Sequence, residues 1–257
     1  MLDPDGGSMW ASLFIASSAS LSVASLDLCA DEYALAFARH GQIASITHLG
    51  ADSRENVFAD RASGIPVNNG TIADVASLRP DIVLTSRTLP SGGQRIADRL
   101  GIRIVTIGYD ETPDAVAARV RQMGALFGNS DASRRWVARF DALKANAGGF
   151  ARSDVLWISP GGTRVGELAR GWLGMAGLDP IRLSAERGRV EQIARADPDL
   201  IVESAYHSAA WHRGGDWRTH PLVRNMDVPR LTVDGRPFLC GGPGMLDVVE
   251  RLQERER

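Results

Sequence analysis

The run TPDAVAARVRQMGALFGNSDASRRWVARFDALKANA, residues 112–147, is the only long helical pattern in the chain and lies near its middle. Thr112 supplies an N-cap, Pro113 suits the first helical position, and Asp114 answers the positive end of a helix. Val116, Val120, Met123 and Phe127 recur at helical spacing and predict one buried face. Gly128-Asn129 reads as a C-cap, and Ser130 as the cap of a second helix with Trp136, Val137, Phe140 and Leu143 on one stripe. From Ser130 to Ala147 such a helix spans roughly 27 Å at about 1.5 Å per residue, about the width of a small lobe. Taken alone, the pattern fits either a bridge between two lobes or a helical hairpin on one domain.

Short strands alternate with helices on both sides of this run. Before it, strands are predicted at Ser22–Leu26, Ile43–Thr47, Ile82–Thr85 and Ile102–Ile107, and Arg54–Ala62 reads as helical. After it, strands are predicted at Asp154–Ser159, Leu200–Glu203 and Arg230–Val233, with helices over Val165–Ala176, Glu191–Ala196 and from Pro243 onward. This rhythm implies parallel βα units. Two segments, DVASLRPDIVL at 74–84 and QIARADPDLIV at 192–202, align on Pro80 and Pro198, 118 residues apart. In each, a helix stops before a proline, an aspartate makes the turn, and an aliphatic run enters a sheet core. Their placement on either side of the central run favours two related lobes, and so a bridge.

Composition excludes several classes. The 257 residues suffice for one large domain or two lobes, each with its own core. A net charge of -2, with Lys144 the only lysine and the arginines scattered, argues against nucleic acid as a partner. No stretch reaches the ~18 apolar residues of a membrane span. Residues 1–20 read as a tag or altered leader attached to or replacing an export signal, or else as the tail of a cytosolic protein.

The two Pro-Asp-strand segments, the opening Ser25-Leu26-Asp27-Leu28-Cys29-Ala30-Asp31, and Phe238-Leu239-Cys240-Gly241-Gly242-Pro243 together resemble the periplasmic binding proteins of ABC importers for cobalamin and ferric siderophores, the helical-backbone metal receptors. The resemblance covers about Ser22 to Leu252. It implies an α/β fold of the class III type, two Rossmann-like lobes joined by a long rigid helix. The expected division is residues 21–129, 130–149 and 150–257 for the N-terminal lobe, bridging helix and C-terminal lobe. It also implies a monomeric periplasmic receptor, not an enzyme, that captures a metal-bearing chelate between its lobes and delivers it to an ABC permease. No catalytic residue, resident cofactor or resident metal is expected. Members of this family carry a glutamate seven residues before the proline of each Pro-Asp segment to dock on permease arginines. Glu191 matches in the second lobe, whereas the first lobe has Ala73 with Asp74 beside it, so Asp74 and Glu191 are the docking residues expected here.

In parallel α/β lobes, ligands meet the loops beyond the carboxyl ends of the strands. That rule selects Cys29, Asp31, His48, Asn68, Asn69, Ser86, Arg87 and Tyr109 in the first lobe. In the second it selects Ser159 to Thr163, Tyr206, His207, Trp211, Trp217 and the loop around Cys240. Aromatic faces and hydrogen-bond donors on loops suit a large, partly apolar chelate. For the aromatic loop 206–217 the alternative is packing beneath a long loop, while Trp136, Trp157 and Trp172 read as core. Cys29 and Cys240 fall on cleft loops, one per lobe, and either join in a disulfide, as an oxidising periplasm permits, or stay as two buried thiols. His48, His207 and His212 supply the alternative of direct zinc or manganese binding, without the spacing of a dedicated zinc motif. A cytosolic α/β enzyme is the weakest alternative, because phosphate-loop, nucleophile-elbow and zinc-protease motifs are all absent from the sequence.

Overall fold

The computed structural model describes residues 21–159, 162–183, 190–206 and 217–255. The first sheet contains β1 (Val23–Ser25), β2 (Ile43–Thr47), β3 (Val67–Asn68), β4 (Ile82–Thr85) and β5 (Arg103–Thr106), all parallel, in the order β3-β2-β1-β4-β5. Its helices are α1 (Leu28–Phe37), α2 (His48–Ala51), α3 (Ile72–Val75) and α4 (Ser91–Leu100). Next come α5 (Pro113–Leu126) and α6 (Ser130–Asn146). The second sheet contains β6 (Ser153–Ile158), β7 (Leu178–Pro180), β8 (Leu200–Ala205) and β9 (Arg230–Asp234), parallel in the order β7-β6-β8-β9. It is dressed by α7 (Glu167–Gly174), α8 (Val190–Arg195), α9 (Pro221–Arg224) and α10 (Met245–Arg255).

Alternation explains why the strands are apolar on both faces. Val23, Ile82 and Leu84 point into one cluster, while Ala24 and Val83 point into another with Ile72, Val75 and Ala97. In the second sheet Val155 and Trp157 face one way, Leu156 and Ile158 the other. Helices cover both faces, as parallel sheets require.

The repeated Pro-Asp segments occupy equivalent places. β4 lies between β1 and β5, and β8 lies between β6 and β9. The amide of Ser22 donates to Asp81 Oδ2 at 2.8 Å, and the amide of Asp154 donates to Asp199 Oδ2 at 2.8 Å. Register places Val23 opposite Ile82 and Val155 opposite Leu200, so each aspartate binds the residue facing it on the neighbouring strand. The repeat is therefore a device that sets strand register.

Three local expectations change. Residues 54–62 carry only a 3₁₀ turn at Ala59–Ala62, because the Asn56 side chain donates to Gly50 O at 3.1 Å and accepts from the amide of Phe58 at 2.9 Å, which diverts the chain. β7 escapes the sequence pattern because it has three residues and ends in Pro180; an edge strand tolerates that proline. The residue before α6 is Asn129 rather than Ser130, and its side chain donates to Phe37 O at 2.8 Å instead of capping.

α6 packs against both halves. Trp136 stacks on Phe140 with centroids 5.7 Å apart, and Trp172 of α7 meets both rings edge-on at 6.5 and 5.8 Å. Each such pair contributes about 1 kcal/mol beyond its burial. Trp136 Nε1 donates to Pro243 O at 3.0 Å and Trp172 Nε1 to Gly241 O at 2.9 Å. Toward the first sheet, Trp136 and Phe140 share a core with Tyr33 and Phe37 of α1, and Gln42 Nε2 donates to Phe127 O at the end of α5 at 3.1 Å. α5 also reaches the second half, since a Cβ on Gly171 of α7 would fall 2.8 Å from Pro113 Cδ.

The loop of residues 240–244 lies directly on the first half. Cys29 and Cys240 form a disulfide with Cα atoms 5.4 Å apart. A Cβ on Gly242 would fall 3.1 Å from Glu32 Oε2, and one on Gly244 would fall 2.8 Å from Val57 Cγ2. Glu32 is fully buried there, and neither carboxyl oxygen has a hydrogen-bond partner. Burial pushes its pKa up to about 8, and the neighbouring Asp31 adds to the shift.

Two predictions follow from this joint. Replacing Cys29 and Cys240 by serine releases a link between residues 211 apart, with an expected loss of about 2–5 kcal/mol in urea denaturation of the oxidised protein. For Glu32, the native state keeps its proton up to about pH 8, whereas the unfolded chain releases it near 4.5. Stability from this group is full below pH 4.5 and falls by up to about 1.4 kcal/mol per pH unit as pH rises toward 8. Thermal melts of Glu32→Gln are expected to exceed those of the parent chain at pH 8 by more than at pH 5; a constant gap would contradict the assignment.

Candidate functional site

The carboxyl ends of β1 and β4 in one sheet, and of β6 and β8 in the other, are where the strand order reverses direction. Such switch points open crevices suited to ligands. Asp27 fixes the first one: it accepts from Ser86 N at 2.6 Å and Thr85 Oγ1 at 3.0 Å, and it caps α1 through Ala30 N at 3.0 Å.

Around this crevice the sequence-predicted residues divide. His48 is exposed at the start of α2, directly after β2, and Asn69, Arg87 and Tyr109 are exposed on the loops that follow β3, β4 and β5. Ser86 is buried, with its hydroxyl 3.5 Å from Tyr109 OH. Asp31 and Asn68 correct the expectation that they face the cleft. Asp31 is completely buried and accepts from Ser25 Oγ, Thr47 N and Thr47 Oγ1, while burial pushes its pKa up to about 6. Asn68 donates to Ser25 O at 3.0 Å and Ser45 Oγ at 2.9 Å, and accepts from Gly70 N at 2.8 Å. Both act as internal ties between strands. The half-buried Cys29 and Cys240 join in the disulfide, so their sulfurs are not available as thiolate donors.

In the second half, a cavity of about 290 Å³ opens beside the ends of β6, β8 and β9. Trp157 and Phe238, with ring centroids 4.7 Å apart, form its aromatic wall, and Val165, Arg164 and Tyr206 complete it. Tyr206 OH donates to Glu55 Oε2 at 2.7 Å, which joins the two halves across the crevice; burial and Glu55 push the phenol up to about 12. Arg236, held by Asp234 at 2.6 Å, also crosses to donate to Ser53 O at 2.5 Å.

Trp217 corrects another expectation. It packs against the cluster of Leu156, Ile158, Ile193, Ile201 and Val223, with its ring 5.0 Å from His220, which is the packing alternative for this loop. His207, Trp211 and His212 lie outside the described residues. A bare-metal site built from His48 would draw both other histidines from there, and the described residues alone gather no metal-holding group.

Sequence reasoning passed over Glu55, Arg164 and Arg236, and it read Trp157 as core only. Trp157 is 5 % exposed, so core was right for most of the ring, but it also lines the cavity. Phe238 opens the motif Phe238-Leu239-Cys240-Gly241-Gly242-Pro243, which is the one usable sequence signal for this cavity. On the outer surface, Asp74 and Glu191 are both exposed; Asp74 also closes a capping box with Thr71, whose hydroxyl donates to it at 2.8 Å.

The comparisons with known proteins agree with this architecture. The sequence profile of the periplasmic binding protein family matches residues 23–202, well over half of the chain. No curated protein sequence matches the chain at a significant level. Among solved structures, the periplasmic heme-binding protein HutB of Vibrio cholerae is similar, with a TM-score of 0.70, 15 % identity, and 92 % of this chain and 98 % of that one covered. FhuD2 of Staphylococcus aureus gives a TM-score of 0.63 at 16 % identity, covering 92 % of this chain and 100 % of that one. The periplasmic vitamin B12-binding protein BtuF of Vibrio cholerae gives 0.59 at 16 % identity, with coverage of 91 % and 95 %. At these identities the likeness shows the fold, two α/β lobes joined by a long helix. No helix among the described residues is long and apolar enough to cross a membrane. The chain belongs to the periplasmic binding protein family, the class III solute receptors, and a periplasmic location goes with that membership.

Proposed function

We propose that this protein is the solute receptor of an ABC importer and that it captures a bulky metal chelate of the cobalamin, ferric siderophore or haem kind. The observation that carries this reading is the aromatic cavity of Trp157 and Phe238 in the second lobe, lined also by Tyr206, whose hydroxyl reaches Glu55 of the first half. At about 290 Å³ the cavity takes one flat portion of such a ligand, with the rest lying in the crevice against Tyr206, Tyr109, His48, Asn69 and Arg87. Relatives of the same fold that bind heme and vitamin B12 support the class of ligand.

Capture of this kind needs no bond chemistry. Affinity comes from apolar enclosure plus a few directed hydrogen bonds, and the Tyr206 phenol exchanges Glu55 for the ligand or for a bridging position beside it. The disulfide and the aromatic packing of α6 hold the lobes, so ligand binding is accompanied by small relative movement. Asp74 and Glu191, on helices that precede the equivalent strands β4 and β8, are the proposed contacts to permease arginines.

Titration of intrinsic tryptophan fluorescence with cobalamin, haem and ferric hydroxamate or catecholate chelates tests the reading. At least one is expected to quench saturably, with Trp157→Phe removing most of the change. If none of the chelates alters the emission or protects the protein against thermal unfolding, the proposal is wrong.

A further inference from the structure

A second cavity of about 290 Å³ shares Arg164 and Val165 with the aromatic one and lies at the start of α7. Its walls carry Thr163, Arg164, Arg170 and Arg182, with Glu167 the one acidic side chain on them. Two polar atoms here are buried without any hydrogen-bond partner, Thr163 Oγ1 and Arg170 Nε. Thr163 is 5 % exposed, and the Arg170 side chain 15 %. A buried hydroxyl and a guanidinium N–H left unpaired are costly to the fold, and an arriving acceptor removes that cost.

The helix end adds to the same field. α7 has eight residues, and Gly166 before it offers no side-chain cap, so its first amides point outward with the positive end of the helix dipole. Arg170 is held in place from behind, donating to Asp179 Oδ1 at 3.3 Å and to Pro180 O, while Nε makes no hydrogen bond and lies 4.0 Å from Glu167 Oε1, an ion pair too long to satisfy its N–H. Arg182 donates to Glu167 at 2.9 and 3.3 Å, and Glu167 is solvent-exposed, so it can yield that arginine to a competing anion.

We propose that this cavity is an oxyanion subsite, in which Thr163 Oγ1, Arg170 Nε and the uncapped amides of α7 receive a carboxylate or phosphate arm of the captured chelate. The shared wall of Arg164 and Val165 lets one ligand place an apolar ring on Trp157 and Phe238 and its anionic arm here. The role in capture rests on the receptor reading above; the affinity for an oxyanion does not.

The test uses the full oxidised chain and two conservative variants. Thr163→Val keeps shape and removes only the hydroxyl; Arg170→Lys keeps the charge and removes the planar edge. Inorganic phosphate, followed by calorimetric titration, is expected to bind the parent chain weakly, with affinity falling about fivefold in Thr163→Val and about tenfold in Arg170→Lys. Arg103→Gln, an exposed site on the first sheet, should leave it within about twofold if the effect is local rather than net charge. Phosphate that binds all four proteins alike, or none, overturns the subsite. In a second arm, haem carries free carboxylates, whereas the corrin side arms of cobalamin are amides and its one phosphodiester is tied into the nucleotide loop and cannot enter the cavity as a free arm. The variants should weaken haem about tenfold and cobalamin by no more than about twofold. Equal loss for both ligands counts against the subsite. If phosphate behaves as expected while no chelate binds any of the proteins, the receptor reading falls and the oxyanion subsite stands.

Discussion

The contact on which the rest of the structure depends is the aromatic wedge of Trp136, Phe140 and Trp172. It fastens the connecting helix α6 to the second sheet's helix α7, and the two indole N–H groups reach the carbonyls of Pro243 and Gly241. Those carbonyls belong to the loop that also carries Cys240. One cluster of rings thus fixes the helix, the loop and the disulfide together. The buried rings exclude water, so each indole N–H needs its carbonyl, and the loop's path is set by that need.

The joint between the lobes tolerates a buried, unpartnered carboxyl at Glu32, which is a cost to stability in a place where packing is otherwise close. Gly242 and Gly244 make room for it and for Val57. By contrast, Asp31, its neighbour on α1, is also buried but has three donors around it. Two adjacent acids on one helix therefore do different work: one ties β1 to β2, and the other makes the joint sensitive to proton loss. The crevice beyond them is crossed by Tyr206 and Glu55, a side-chain contact that joins the two halves.

Much of this was legible in the sequence. The Pro-Asp segments announced two related halves, because an aspartate that pins the strand opposite it leaves a signature wherever the device recurs. The periodic run at 112–147 announced the helices, and strand positions followed from aliphatic runs. Side-chain diversion was not legible: Asn56 unwinds an apparent helix through bonds to Gly50 and Phe58, and no local pattern reveals those partners. The site was read less well than the fold. Loop position selected His48, Arg87 and Tyr109, but position at a strand end does not tell which way a side chain turns, and so Asp31, Asn68 and Trp217 were placed at the crevice although they serve the interior. Glu55 and Arg236 matter through contacts across the crevice, which no spacing along the chain encodes.

The disulfide has a bearing on how the protein is made. Cys29 sits in the first helix of the first sheet, and its partner follows β9, the last strand of the second. The thiol of Cys29 thus has no mate until the far end of the chain has been made and has wrapped back over α1. Oxidation is therefore a mark of completed assembly: a chain stalled in transit, or one whose second lobe has gone astray, presents a reactive sulfur that a finished molecule hides.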